Sequence, residues 1–136
     1  MELDKAVQVE DKPANALLVE ALIARRSDLK LLTAHDGYQG IEMACSHTDK
    51  PEVILIDVNW PDISGLAALT ILRENPATTH IPVIALSSKA FQRQIEEGLE
   101  AGFFRYLTKP FKVNELMDAI DVALAVRSGK SSNQLD

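Results

Sequence analysis

The sequence predicts an α/β fold in which one parallel sheet is covered by helices on both faces. Short apolar runs alternate along the chain with longer segments of helical period. The runs VILID (53–57) and PVIALS (82–87) lack polar alternation, as is typical of strands that are buried on both faces. With 136 residues, 46% of them hydrophobic, the chain suffices for one cored domain. Five successive strand–helix units therefore predict a single doubly wound, five-stranded sheet.

Each predicted strand is a short apolar run between polar or turn-forming residues. The five predicted strands cover residues 6–10, 29–33, 53–57, 81–87 and 103–107. The predicted helices cover residues 13–26, 38–47, 64–74 and 90–100, with a last helix from 113.

The last helix has the clearest pattern. Its apolar residues recur at helical spacing, with Glu115, Asp118 and Asp121 on the opposite face; they are Val113, Leu116, Met117, Ile120, Ala123 and Leu124. Pro13 suits the opening turn of the first helix. Gly98 and Gly102 predict that the helix over 90–100 is strained or short, or ends early.

Composition excludes several classes of protein. The net charge of -6 and the absence of clustered Lys and Arg argue against direct nucleic-acid binding. Cys45 is the only cysteine, so we expect no disulfide and a reducing, cytoplasmic setting. No apolar run reaches the roughly 18 to 20 residues of a membrane span, and we expect no membrane contact. We expect one domain over 1–127 and a polar tail or linker stub over 128–136.

Polar side chains cluster where the predicted strands end. Glu10 and Asp11 close the first strand, Asp57 the third and Ser87 the fourth, while Lys109 follows the fifth. In a doubly wound sheet the binding crevice lies beyond the carboxyl ends of the strands. We therefore expect three carboxylates, a hydroxyl and an ammonium to share one crevice.

This set of groups suits phosphoryl chemistry. Three close carboxylates repel one another unless a cation joins them, and Mg²⁺ prefers such oxygen ligands together with phosphate oxygen. With the cation screening its charge, a carboxylate can attack phosphorus to form an acyl phosphate. Ser87 and Lys109 would each donate to a phosphoryl oxygen.

The chain from 5 to 126 resembles the receiver domains of two-component signalling. The resemblance rests on five features in order: VEDKPAN, DVNWPDISG with Asp57, ALSSKA with Ser87, the aromatic Tyr106, and LTKP with Lys109. It implies a flavodoxin-like sheet of strand order 2-1-3-4-5 with five helices. It also implies that Asp57 is the phospho-acceptor and that Mg²⁺ is held there by Glu10, Asp11, Asp57 and the backbone carbonyl of Asn59.

The resemblance implies further roles around the acceptor. Ser87 would move to meet the phosphoryl group, Lys109 would pair with it, and Tyr106 would swing inward. Asn59 and Lys89 stand where receiver domains tune the lifetime of the acyl phosphate. Phosphorylation would then switch a signalling face formed by the fourth helix, fifth strand and fifth helix.

The implied partner is a phosphohistidine on a sensor histidine kinase or a histidine phosphotransfer protein. VEDKPAN and GFFRYLTKP are most similar to receivers of hybrid sensor kinases, so a parent chain could be a histidine kinase. The domain itself would catalyse only its own phosphorylation and dephosphorylation, and homodimer formation stays open.

Three alternatives come from other classes of protein. A flavodoxin-like electron carrier fails because Glu10 and Asp11 would repel the phosphate of its cofactor. An Asp-nucleophile phosphohydrolase needs a second Asp where this chain has Asn59. A receiver-like interaction module that is not phosphorylated stays open.

Overall fold

The sheet has the predicted α/β character. The computed structural model describes residues 4–9, 19–34, 37–46, 51–57, 65–87, 92–108 and 111–127. Within these residues five strands form one parallel sheet of order β2-β1-β3-β4-β5. The strands are β1 (Asp4–Val9), β2 (Leu29–Ala34), β3 (Val53–Asp57), β4 (Val83–Ser87) and β5 (Arg105–Thr108). The predicted fold class is confirmed.

Helices follow the strands in alternation. The described part of α1 covers 19–23, so Pro13 and the predicted start of this helix lie outside the described residues. The other helices are α2 (Gly37–Cys45), α3 (Gly65–Glu74), α4 (Gln92–Ala101) and α5 (Val113–Arg127). The tail over 128–136 also lies outside the described residues.

The core has two layers, one on each face of the sheet. Every residue of β3 and of β4 is buried, as their unbroken apolar runs predict. One layer packs α1 and α5 against alternate residues such as Leu55 and Leu86. The other layer packs α2 and α3 against the strand residues that point to the opposite face, such as Ile56 and Ala85. Helices on both faces therefore hold the central strands rigidly.

Some details of the prediction are wrong. Strand β5 begins at Arg105 rather than at 103, because Phe103 is buried in the core where the chain turns from α4 into the sheet. Val113 is 43% exposed, although its spacing placed it on the apolar face of α5. As the first residue of α5, it lies beyond the part of the helix that packs on the sheet. The buried residues of that face begin at Leu116.

Helix α4 runs through Gly98 and ends at Ala101, so the predicted early end is wrong. The amide of Phe103 donates to the Gly98 carbonyl at 3.1 Å, and that of Gly102 to the Leu99 carbonyl at 3.2 Å. These two bonds form a Schellman cap, which requires a left-handed residue directly after the helix. Gly102, with φ of 123°, is that residue.

Replacing Gly102 by Ala should destabilise the protein by about 1–2 kcal/mol, the cost of a left-handed conformation in an L-residue. A β-carbon there would meet the Arg73 Nε at 3.6 Å and the Leu69 Cδ2 at 3.8 Å, which are ordinary contacts. The loss would therefore be conformational rather than steric. Urea denaturation measures it, and Gly102→Asn should lose less because Asn tolerates this region. An unchanged midpoint for Gly102→Ala would contradict this account of the cap.

Arg26 links the end of α1 to α5. It donates to both carboxylate oxygens of Asp28, at 2.9 and 2.7 Å, and pairs with Asp121 Oδ1 at 2.9 Å. The Arg26 hydrogen bonds hold the pKa of the exposed Asp28 carboxyl below its ordinary value of 3.8. The contact joins the turn after α1 to α5 at a solvated surface.

Candidate functional site

Asp57 is the last residue of the central strand β3. All five residues of this strand are buried, and Asp57 is 8% exposed. Aspartate is seldom so buried in proteins unless it has partners. Asp57 does make interactions of its own in the structure. A carboxylate is therefore fixed at the carboxyl edge of the sheet by a strand that cannot shift easily.

Ser87 ends the neighbouring strand β4 and is fully buried. The register aligns Asp57 with Leu86, and Ser87 with Thr108 at the end of β5. Three adjacent parallel strands therefore end at the same edge. The predicted placement of Asp57 and Ser87 at neighbouring strand ends is what the structure shows, while their chemical roles stay predictions.

Asp57 and Ser87 belong to opposite faces of the sheet. Residues two apart in a strand point to the same face of the sheet. Asp57 therefore shares a face with Leu55, whose core layer includes α5, whereas Ser87 shares a face with Ala85, whose core layer includes α3. A ligand that contacts both side chains must therefore sit over the strand ends rather than on either face. This is the position expected for a ligand in an open parallel sheet.

Tyr106 lies on the same face as Ser87. It is aligned with Ala85 on β4, and its half-buried ring packs on the core layer that contains Ala85. The ring meets Phe103 edge to face, with centroids 6.0 Å apart and an interplanar angle of 89°. Tyr106 is thus two residues before the register partner of Ser87, within the same layer as the serine.

Several predicted site residues lie outside the described residues. These are Glu10, Asp11, Asn59, Lys89 and Lys109. Among the residues that the structure does describe, no group of three or more His, Cys, Asp or Glu side chains could hold a metal ion. Of the predicted magnesium ligands, the structure places Asp57 alone.

Cysteine and histidine are common metal ligands and reacting groups, and the part of the chain that the structure describes contains one of each, Cys45 and His80. Cys45 is half-buried and its sulfur accepts a hydrogen bond from Asn75 Nδ2 at 3.4 Å. His80 is exposed, while His35 and His47 are outside the described residues. In the described part of the chain no helix is both long and apolar enough to cross a membrane.

Sequence reasoning missed the relation between Gly98 and Tyr106. A β-carbon built at Gly98 would lie 2.8 Å from Tyr106 Cε2 and 2.9 Å from its Cδ2. The tyrosine ring therefore rests directly on the backbone of α4. The sequence does contain a signal for this contact, because a glycine inside the helix is followed by an aromatic residue on the next strand. Helix propensity alone instead predicts that the glycine weakens or ends the helix.

Comparison with known proteins points to one family. Residues 7–121 match the family model described as the response regulator receiver domain. The polar-differentiation response regulator DivK of Brucella anthropi is 30% identical over 112 residues, which are 82% of this chain and 89% of DivK. Hybrid signal transduction histidine kinase I of Dictyostelium discoideum is 30% identical over 139 residues, 97% of this chain but 8% of the kinase.

A solved structure of a receiver domain is also similar to this chain in sequence and fold. The receiver domain of the sensor histidine kinase PA1611 from Pseudomonas aeruginosa PAO1, which has a magnesium ion coordinated in its active site cleft, is 30% identical. It superposes with a TM-score of 0.80 and covers 90% of this chain and 98% of that domain. The chain spans 44% or less of the length of several other curated relatives that it matches. The family match, the parallel sheet and the buried carboxylate at its edge agree, and the chain belongs to the response regulator receiver domain family.

Proposed function

We propose that this chain accepts a phosphoryl group on Asp57 from a phosphohistidine of a sensor histidine kinase or a histidine phosphotransfer protein. The observation that carries the proposal is the position of Asp57, a buried carboxylate at the carboxyl end of a fully buried central strand. Its membership of the receiver family supports the same role.

In this reaction a carboxylate oxygen of Asp57 attacks the phosphorus atom. The O–P bond forms as the P–N bond of the phosphohistidine breaks, and the imidazole keeps the electron pair of that bond. Catalysis of this kind depends on positioning the nucleophile in line with the bond that breaks. The rigid β3 strand, held by helices on both faces, provides that positioning.

The donor groups of the proposed site fit a magnesium ion. Glu10, Asp11, Asp57 and the backbone carbonyl of Asn59 would hold it, all through oxygen atoms, which are the ligands that Mg²⁺ prefers. When bound, the ion supplies positive charge that offsets the charge of the phosphoryl oxygens. The magnesium in the cleft of the similar PA1611 receiver supports this assignment.

The remaining residues bind the product and transmit its presence. We assign Ser87 and Lys109 as donors to phosphoryl oxygens, and Asn59 and Lys89 as residues that set how long the acyl phosphate lasts. Tyr106 shares a sheet face with Ser87, so movement of the serine can reach the ring through one packed layer. The response would appear on α4, β5 and α5.

The extent of the unit is part of the same proposal. We assign residues 1–127 to the receiver domain and 128–136 to a tail or linker. The match covers 89% of the response regulator DivK but 8% of the hybrid kinase. A receiver domain can therefore make up most of a regulator or be one segment of a larger kinase. The chain would turn over no free substrate.

Incubation with acetyl phosphate and Mg²⁺ should add one phosphoryl group to the protein, as measured by intact-protein mass spectrometry. The same mixture with EDTA should give little or no product, because uncompensated carboxylates repel the incoming phosphate. If the protein gains no mass in Mg²⁺ while a known receiver does so in parallel, the chain is an interaction module without phosphorylation. Mass gain of equal extent with EDTA would contradict the magnesium assignment.

A further inference from the structure

Helices α2 and α3 form a groove on the outer side of one core layer. Asn75, directly after α3, donates through its Nδ2 to Cys45 Sγ at the end of α2, at 3.4 Å. The C-terminal ends of the two helices therefore lie together. Residues one and two turns earlier share the facing sides of the helices, because helical residues three or four apart are neighbours on the surface. They line what we call the α2–α3 groove: Tyr38 and Ile41 on α2, and Ala67 and Ile71 on α3.

The groove is apolar and open to solvent. Tyr38 is 58% exposed and Ile71 is 38% exposed, while the other two groove residues are half-buried and exposed. The apolar surface continues on α3 to Leu66, which is 45% exposed. The hydroxyl of Thr70 donates to the Leu66 carbonyl at 3.0 Å, so it bonds to the backbone of its own helix. Single exposed apolar residues are normal on proteins, but a contiguous patch marks an interaction site.

The exposed side of α3 differs from that of an ordinary solvated helix. It has one charged residue, Glu74, in its last turn. Helix α4 provides the comparison, because most of its exposed residues are polar or charged: Gln92, Arg93, Gln94, Glu96, Glu97 and Glu100. The α3 surface is therefore better suited to contact with another protein than to contact with water alone.

The rim of the groove is acidic. Glu42 lies one turn after Tyr38 on α2 and is exposed. Glu74 lies one turn after Ile71 on α3 and is also exposed. The basic residue of these two helices, Arg73, points to the other side of α3, where its Nη2 reaches the carbonyl at the cap of α4 at 3.4 Å. The two helices therefore direct negative charge, and no positive charge, toward the groove.

A cleft on α2 adjoins this rim. Its volume is about 280 Å³, and it is lined by Gln39, Glu42, Met43 and Ser46. The carboxylate, amide and hydroxyl oxygens in this lining can accept hydrogen bonds from an ammonium or guanidinium group. The methionine side chain can cover the alkyl part of a lysine or arginine, which packs on apolar surface while its charged end stays hydrated. A basic side chain thus has a place to bind beside the apolar groove.

We propose that the α2–α3 groove binds an amphipathic helix of a separate partner protein. The apolar residues of that helix lie in the groove, and its Lys or Arg residues lie against Glu42 and Glu74. Helix α2 has nine residues, so it is about 14 Å long and matches partner residues at i, i+4 and i+7. This binding goes beyond phosphoryl transfer and does not require Asp57.

The acidic rim disfavours other occupants. In a contact between two copies of this chain, acidic rims would meet, and like charges that face each other weaken an interface. Nucleic acids and anionic membranes are repelled for the same reason. The nine residues after Arg127 contain one large apolar residue, Leu135, so this stretch has too few apolar residues to form the helix.

A synthetic peptide tests the groove. The probe is a peptide of Leu, Ala and Lys of about 15 residues, long enough to form a helix, with leucines at i, i+4 and i+7 and lysines beside them. In NMR spectra of the isotope-labelled protein, the largest shift changes should fall on α2 and α3. A peptide with Glu in place of each Lys should bind roughly tenfold more weakly or worse. Largest changes on α4 or α5, or equal binding of the two peptides, would overturn the proposal.

Substitutions in the groove provide the second test. Ile71→Ser should weaken binding of the lysine peptide by roughly tenfold, because an apolar side chain leaves the contact. Val122→Ser is the matched control, since Val122 lies on α5 and is 38% exposed, as Ile71 is. It should leave the affinity unchanged. Glu42→Gln should weaken binding at low salt, and the difference should shrink as salt screens the charge. Equal affinities of the Ile71→Ser and Val122→Ser chains would contradict the groove as the binding site.

Two further measurements on the Ile71→Ser chain complete the test. Sedimentation velocity should give the unsubstituted and substituted chains the same mass. A dimer that Ile71→Ser dissociates would show that a second copy occupies the groove, and the proposal would be wrong. Ile71→Ser should also keep the urea midpoint and be labelled by acetyl phosphate as the unsubstituted chain is. Absence of labelling in both chains would contradict the proposed function, while the peptide results would still decide the role of the groove.

Discussion

We expect the Asp57→Asn chain to take up no phosphoryl group from acetyl phosphate under conditions in which the unsubstituted chain is labelled. The carboxamide has nearly the size of the carboxylate and occupies the same buried end of β3, but it is not a nucleophile toward phosphorus. Intact-protein mass spectrometry after a fixed incubation measures the difference. Loss of labelling should be complete rather than partial, because the proposal makes Asp57 the reacting group.

The matched control is Asp118→Asn, the same chemical change at an exposed position of α5. It should leave labelling unchanged. The Asp57→Asn chain should also keep its stability, or gain some, because the proposed site would lose the charge of one of its three carboxylates. Labelling that persists in Asp57→Asn, in a chain shown by denaturation to be folded, would show that the acceptor assignment is wrong.

We expect Arg73→Ala to lower the free energy of unfolding by about 2–3 kcal/mol, since it removes charge-assisted hydrogen bonds to three backbone carbonyl groups, two of them in part-buried positions. Arg73, in the last turn of α3, donates through its Nη1 to the carbonyls of Thr79 and Ile81, both at 3.0 Å. Its Nη2 reaches the Gly102 carbonyl at 3.4 Å. One side chain thus ties together α3, the segment before β4 and the cap of α4.

Arg93→Ala provides the control for this prediction. The Arg93 side chain is 91% exposed on α4 and pairs with Glu97 at 3.3 Å, so its removal should cost roughly 0.5 kcal/mol or less. Urea denaturation of both variants measures the contrast. Burial lowers the pKa of Arg73, yet the guanidinium stays charged at any pH at which the protein is handled. Equal losses for the two variants would contradict the structural role of Arg73.

The central strands could be predicted from sequence because burial on both faces requires a continuous run of apolar residues. VILID and the run that ends in Ser87 are apolar throughout, and a strand covered on both faces requires such a run. The location of Asp57 at a strand end followed from the same pattern. The position of Asp57 at the edge of the sheet was therefore predictable from local sequence and from the general geometry of parallel sheets.

The region around α4 could not be predicted in the same way. Helix propensity gives Gly98 a cost, yet the helix continues through it and the Tyr106 ring packs against its backbone. The start of β5 has a similar cause, since Phe103 is apolar for packing against the core rather than for pairing in the sheet. Local sequence does not show which aromatic ring packs against which part of the backbone.

Val113 illustrates a different limit. Its helical spacing with Leu116 and Ile120 is correct, but periodicity does not show how far along the helix the sheet extends. The first turn of α5 lies past the packed region, and the valine is exposed there. Patterns of this kind predict which face of a helix is buried more reliably than where burial begins.

Chemical mapping of the modified residue tests the central proposal most directly. After incubation with acetyl phosphate and Mg²⁺, reduction with borohydride converts an aspartyl phosphate to homoserine, and peptide mass spectrometry then locates the change. Our proposal predicts homoserine at position 57 and no other modified residue. A modified peptide that lacks Asp57, or a stable phosphate on Ser87, would contradict it.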